Sequence, residues 1–326
     1  MTGAAEFTTG RRGFTLSALA GLALAGSARA EEEWPQRPLR VVIPWPPGGQ
    51  VDRYGRPLAD ALGRILGQPV VIENKGGAGG LIGAEQVSRA RPDGYTLLLA
   101  NNTAIVGSVA TNPGNARFDT LKDFTPVGIV QESPGLFVAH PSLGVSNFEE
   151  FVAAVRKSPH PVPFASSGQG AAASMAAEAM RRRYGLEFLE VVYQGGGPRM
   201  AALLSGEVKF TMFDTNLVRE HLASGAVHPL IGTGPARFEE LPEVPSFGDI
   251  GLTEFDFRNW QALLVPAGVP APVLQRLREA LAEAARSPAF LQVAQDGGTA
   301  IFQTGAEAEA RIARGFRDIR ALQSKN

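Results

Sequence analysis

Short apolar runs alternate along this chain with stretches in which apolar residues recur every three or four positions. Leu39 to Pro44 reads as a strand, followed by a helix with Leu58, Leu62, Ile65 and Leu66 on one face and a second strand from Val70 to Glu73. A helix through Glu85 to Arg89 leads to the strand Tyr95 to Ala100. Ser146-Asn147-Phe148-Glu149 spells a capping box that opens a helix burying Phe148, Phe151, Val152 and Val155. The strand Val162 to Ala165, a helix carrying Met175, Ala179 and Met180, the strand Glu190 to Tyr193, a helix opened by Pro198 and the strand Val208 to Phe213 come next. After Trp260 the pattern returns with a strand at Ala262 to Val265, a turn from Pro266 to Pro272, a helix marked by Leu274, Leu277 and Leu281, and a last helix with Ile312, Phe316, Ile319 and Leu322. Apolar strands separated by amphipathic helices form βαβ units in sheets covered on both faces, so the fold class is α/β. Breaks near Ser133-Pro134 and near Asn259 give two crossings between two lobes, residues 31–133 plus 260–326 and residues 134–259, with the C-terminal helices packing back on the first.

The polar breaks between these elements carry the chemistry. The first strand runs into Trp45-Pro46-Pro47-Gly48-Gly49-Gln50 and then the helix-like Val51-Asp52-Arg53-Tyr54. A strand, a Gly-Gly turn and a helix start leave backbone N–H groups without helical acceptors at the positive end of the helix dipole, a place that attracts carboxylates or phosphates. The same order recurs at Asn74 to Gly80, Ser166 to Gly170 and Tyr193 to Pro198. Four such junctions suggest an anion receptor.

Composition narrows this picture. With 326 residues, 44% hydrophobic content and a net charge of −1, the chain is long enough for two lobes and has no basic footprint for nucleic acid or membrane. Arg11-Arg12 ahead of a mild apolar run from Phe14 to Ala25, and a small-x-small site at Ala28-Arg29-Ala30, mark residues 1–30 as a removable export signal of twin-arginine type, an ordinary secretory signal being the alternative. No later stretch approaches the about 18 apolar residues of a membrane span. With no cysteine, disulfides and a lipid-anchored cysteine are excluded. The expected compartment is the periplasm, and the expected mature protein a soluble monomer.

Catalytic signatures are weak. Ser166 and Ser167 lack the first glycine of a nucleophile elbow, and His140, His160, His221 and His228 are scattered without metal-ligand spacing, so neither catalysis nor a metal or other cofactor is expected. Gly77 to Gly83 departs from a dinucleotide fingerprint, since the third glycine is one position late and no acidic residue ends the next strand. Asp52 and Asp214 end two apolar runs, where a carboxylate caps a helix or faces a cleft.

Taken in order, these motifs resemble the periplasmic substrate-binding receptors of tripartite tricarboxylate transporters, the Bug proteins. The likeness rests on Trp34-Pro35, Pro44 to Gly49 with Asp52, Gly67 to Asn74, Gly77 to Gly80 with Ile82 to Ala84, and Pro92 to Leu98. It continues through Asp123 to Val127, His140 to Leu143, Ser166 to Gly168, Tyr193 with Gly195 to Pro198, Phe213-Asp214 and Leu263 to Gly268. It implies a two-lobed Venus-flytrap of the type II periplasmic class that holds a small organic carboxylate between lobes and presents its closed form to transporter membrane subunits. First-lobe contacts would come from Trp45, Pro47, Gly48, Gly49 and Asp52, with Asn101 and Asn102 at a neighbouring strand, and second-lobe contacts from Ser167, Gly168, Gln169, Tyr193 and Asp214. Hydrogen bonds to a charged carboxylate contribute roughly 1.5 to 3 kcal/mol each, so a few of them account for a micromolar site without a buried arginine.

Departures from the family pattern point to selectivity. Gln50-Val51 stands where Gly-Thr is common, so an amide is expected to project into the cleft, and Gly55 and Pro57 are expected to weaken or kink the helix start. A bulkier, more apolar cleft would suit an aromatic or branched carboxylate. Two other readings share most of these features: an enzyme on a flytrap-like scaffold, and a sensor that signals to a membrane partner.

Overall fold

The computed structural model describes residues 1–4, 34–253, 257–295 and 298–324. The twin-arginine pair and most of the expected export signal lie outside the described residues. Met1–Gln36 forms a unit of its own, and the fold described below is that of Arg37–Asn326.

Eleven strands among the described residues build two mixed sheets: β1 (Leu39–Ile43), β2 (Val70–Asn74), β3 (Thr96–Asn101), β4 (Phe124–Ser133), β5 (Leu136–Ala139), β6 (Val162–Ser166), β7 (Phe188–Val192), β8 (Phe210–Phe213), β9 (His228–Gly232), β10 (Asn259–Pro266) and β11 (Thr299–Gln303). Helices of eight residues or more are α1 (Gln50–Leu66), α2 (Leu81–Ser88), α3 (Phe148–Lys157), α4 (Ala172–Tyr184), α5 (Gly196–Leu204), α6 (Thr215–Ala223), α7 (Ala271–Ala284), α8 (Pro288–Gln295) and α9 (Gly305–Ser324). The first sheet has the order β11-β4-β10-β3-β1-β2 and the second β7-β6-β8-β5-β9. Parallel βαβ units form β1, β2 and β3 in one and β6, β7 and β8 in the other, as the periodicity predicts. Antiparallel strands complete each sheet, and β4, β5, β9 and β11 are additions to the strands read from periodicity.

The chain leaves the first sheet at Ser133 and returns to it at Asn259, and these two residues face each other where β4 and β10 pair antiparallel. The second lobe therefore hangs from two adjacent strands. Its core is aromatic, with Phe210 stacked on Phe164 at 5.3 Å and edge-on to Phe151 at 4.9 Å. Such a core resists deformation, since close-packed side chains transmit strain.

Three local expectations need correction. α1 runs unbroken through Pro57 from Gly49, its extended N-cap, to Gly67 in the left-handed region. Gly55 does not weaken it: a Cβ there would lie 2.7 Å from Ile43 Cδ1 and 2.9 Å from Leu99 Cδ2, so the missing side chain lets α1 settle on the sheet. The cap of α3 sits one residue later than the capping box implies: Asn147 Oδ1 accepts from the Glu150 N–H at 2.9 Å, and the Glu150 carboxylate accepts from the Ser146 N–H. This places Phe148 inside the helix, where it is buried. The C-terminal helix also does more than return to the first lobe, because its Leu322 joins the core of the second and accepts from Arg182.

Candidate functional site

A cavity of about 250 Å³ lies between the carboxyl ends of strands from both sheets, walled by Trp45 to Val51 on one side and by Ser167, Ala171 to Ala173, Gln194 to Arg199 and Met212 to Asp214 on the other. Four helices begin on this cavity: α1 after Gly49, α4 after Ala171, α5 after Gly195 and α6 after Asp214. None of the four has a side-chain cap. Their first N–H groups lack intrahelical acceptors, and four positive dipole ends meet in one space. By contrast α3, which has no part in this wall, is capped by its own Asn147.

The first-lobe wall is braced from behind. Asp52 is buried, and its carboxylate accepts from the Gly48 N–H at 2.9 Å, from Asn74 Nδ2 at 3.0 Å and from Arg56. Burial pushes the Asp52 carboxyl up, but the Gly48 amide, Asn74 and Arg56 outweigh it and hold it below the ordinary aspartate range. Trp45 donates through Nε1 to Asn101 Oδ1 at 3.0 Å, and the same oxygen accepts from the Ala104 N–H. Asn74 also donates to the Trp45 carbonyl.

Opposite this wall, Asp214 is buried at the start of α6 without capping it. Its carboxylate accepts instead from Gln50 Nε2 of the other lobe and, at 3.4 Å, from Asn259 Nδ2. Burial pushes its carboxyl up to about 6, an effect that Ser133, Asn259, Arg199 and Arg53 only partly offset. Gln50 thus lines the cavity and spends its amide on a link between lobes. The lobes also approach backbone to backbone: a Cβ on Gly107 would sit 2.0 Å from the Gly170 carbonyl oxygen, and one on Gly170 2.3 Å from that of Gly107.

Of the residues expected at the site, Trp45, Pro47, Gly48, Gly49, Asn101, Ser167 and Asp214 share this cavity. The other five do not line it. Asp52 turns inward to hold the loop. Asn102 donates to the Arg258 carbonyl. Gly168 gives its N–H to Ser166 Oγ, the Gln169 carbonyl accepts from Thr111, and the Tyr193 hydroxyl donates to Glu207 at 2.8 Å. Each is next to, or a few residues from, a lining residue; Asp52, Gly168 and Tyr193 bond within their own lobe, whereas Asn102 and Gln169 make contacts that cross between lobes away from the cavity.

One wall residue escaped the motif reading. Arg199, in the first turn of α5, lies with its guanidinium carbon 4.8 Å from the centre of the Phe213 ring. Burial lowers its pKa to about 10, against the pull of Asp214, so it is a cation at neutral pH. A cation at a helix N-terminus opposes the dipole, and that conflict is a signal legible in sequence. A few hydrogen bonds to a carboxylate do not require an arginine, yet one stands in this wall. The Gly77 to Gly83 stretch, in turn, is a packing device: a Cβ on Gly80 would meet Ala104 at 2.4 Å and one on Gly83 would meet Lys75 O at 2.6 Å.

The family model of the tripartite tricarboxylate transporter family receptor, TctC, matches residues 55–317. This chain belongs to that receptor family. It is 32% identical to the protein BugT of Bordetella pertussis over 297 residues, 91% of this chain and 90% of BugT. The solved periplasmic binding protein BugD superposes with a TM-score of 0.76 at 30% identity, over 90% of this chain and 97% of BugD. MatC from Rhodopseudomonas palustris, solved with bound malate, gives 0.77 at 26% identity over 89% of this chain and 99% of MatC. The receptor has the two-lobed periplasmic binding-protein fold, in a family of periplasmic solute-binding proteins.

Proposed function

We propose that this receptor captures a small organic carboxylate between its lobes and delivers it, as a closed monomer, to the membrane subunits of a tripartite transporter. The observation that carries this reading is the meeting of four uncapped helix starts on one enclosed space with Arg199 in its wall. An anion held there exchanges water for preorganised N–H donors and an arginine, each charged hydrogen bond contributing about 1.5–3 kcal/mol before ordering costs. Bound malate in MatC supports the ligand class by kinship.

The lobes are taken to be residues 31–133 with 260–326 and residues 134–259, hinged where β4 and β10 lie side by side. Trp45, Pro47, Val51, Phe213 and Leu217 give the cavity an apolar share, which favours a carboxylate with an aromatic or branched body. Export by the twin-arginine route completes the proposal. Native mass spectrometry of receptor purified from its host is expected to reveal a co-purifying carboxylic acid. A thermal-shift panel should then rank aromatic or branched carboxylates above malate and citrate, and their amides should not stabilise the protein. Equal stabilisation by the amides would remove the anion-receptor reading; a ranking led by malate or citrate would remove only the apolar preference.

A further inference from the structure

Arg199 has more donors than the protein uses. Its Nε–H is enclosed and finds no acceptor among the described residues, although leaving a buried donor unpaired is costly. The obvious acceptor is Asp214, close enough for each to feel the other's charge. Yet Asp214 makes no ion pair with Arg199 among the described residues, because its carboxylate is engaged by Gln50 from the opposite lobe and by Asn259. Phe213 supports one face of the guanidinium and leaves its edge, where the N–H groups lie, for a planar partner.

We propose that Arg199 is the specificity-determining residue of the cavity: it takes a second anionic group of the ligand directly, and the Gln50–Asp214 link keeps it available to do so. This rests on the carboxylate-receptor reading and deepens it. One carboxylate sits at the α1 start in the first lobe, the other in bidentate contact with Arg199 in the second, and the ligand spans the closure. Selection by charge number follows, because a ligand with one carboxylate leaves the enclosed Nε–H of Arg199 without an acceptor. Gln50 acts as a positioning residue, since without its amide the Asp214 carboxylate is free to turn onto Arg199 and neutralise it.

Calorimetric titration near pH 8, with both ligand carboxyls ionised, tests this with matched pairs: succinate against butyrate, adipate against hexanoate, and isophthalate against benzoate. In the wild type the dianion of the best pair should bind at least about tenfold more tightly, the equivalent of one charged hydrogen bond. Arg199→Gln should shrink that ratio to within about threefold, Arg199→Lys should retain part of it, and Gln50→Ala should lower it with Arg199 intact. Thermal melts and circular dichroism establish that each variant is folded; should Arg199→Gln unfold, the Lys and Gln50 variants carry the test. Equal binding of both members of every pair in the wild type overturns the role of Arg199 while leaving the carboxylate receptor intact. A ratio preserved in Arg199→Gln does the same, and one preserved in Gln50→Ala overturns the positioning role. Failure of every mono- and dicarboxylate to bind overturns both readings.

Discussion

The two walls of the cavity are built on different principles. The Trp45 to Val51 wall is held from behind by Asp52, Asn74 and Asn101, so its backbone N–H groups are fixed before any ligand arrives. The Gln194 to Arg199 wall carries three consecutive glycines, Gly195 to Gly197, around which an added Cβ would meet nothing within 4 Å. One wall is preorganised and the other has room to change. A rigid donor array suits the part of a ligand common to a whole family, in the proposed function a carboxylate. The open wall suits the part that differs, and it is where Arg199 projects.

The sharpest way to break this contrast is Asp52→Ala, which leaves the Gly48 amide and Asn74 without their buried acceptor. It should cost about 2–3 kcal/mol in urea unfolding and reduce carboxylate affinity more than tenfold, although Asp52 does not line the cavity. If affinity survives the loss of stability, the wall is not preorganised by Asp52. Acid should mimic the variant: the Asp52 carboxyl is held low, so its contribution is present above the ordinary aspartate pKa and disappears as pH falls through the lowered folded value.

Asp214 has the opposite sign. Its pKa rises from 3.8 to about 6 on folding, so the unfolded chain ionises first and stability declines as pH rises between those values. The decline is on the order of 3 kcal/mol and flattens at higher pH. Asp214→Asn should remove it, seen as a urea midpoint with less slope between about pH 4 and pH 6 than the wild type has.

Removal of the Asn147 cap from α3, a helix with no part in the cavity, should cost about 1 kcal/mol and leave ligand affinity untouched. The smallest effect is expected of Gly197→Ala. Stability should stay within about 0.5 kcal/mol, because the site is open, while the ranking of ligands shifts as the wall gains a methyl group. Loss of several kcal/mol at Gly197 would show that this wall is as tightly built as the other.

The contrast also explains what could be read from the chain alone. Parallel units such as β1-α1-β2 announce themselves through local alternation. The antiparallel strands β4, β5, β9 and β11 pair with distant segments, and β4 carries a proline and a glycine that mask it. Cavity residues at strand-to-helix junctions, such as Gly48 and Asp214, are legible because the junction itself is the signal. Asp52, Asn102, Gly168, Gln169 and Tyr193 share those junctions, but which way the Asp52, Asn102 and Tyr193 side chains and the Gly168 and Gln169 backbone groups turn depends on partners such as Asn74, Arg258, Glu207, Ser166 and Thr111. Arg199 stands one position past the Gly-Gly-Gly-Pro motif, and only its conflict with the helix dipole marks it in the sequence.

The abutment of Gly107 and Gly170 gives this receptor a hard stop. Where two backbones already touch, further rotation of the lobes is blocked by overlap of atoms, whatever the cavity contains. If the ligand is held between the lobes as proposed, this contact sets a floor to the size of the space: a molecule too small to reach both walls at the stop would gain nothing from closure, and one too large would prevent the stop from being reached.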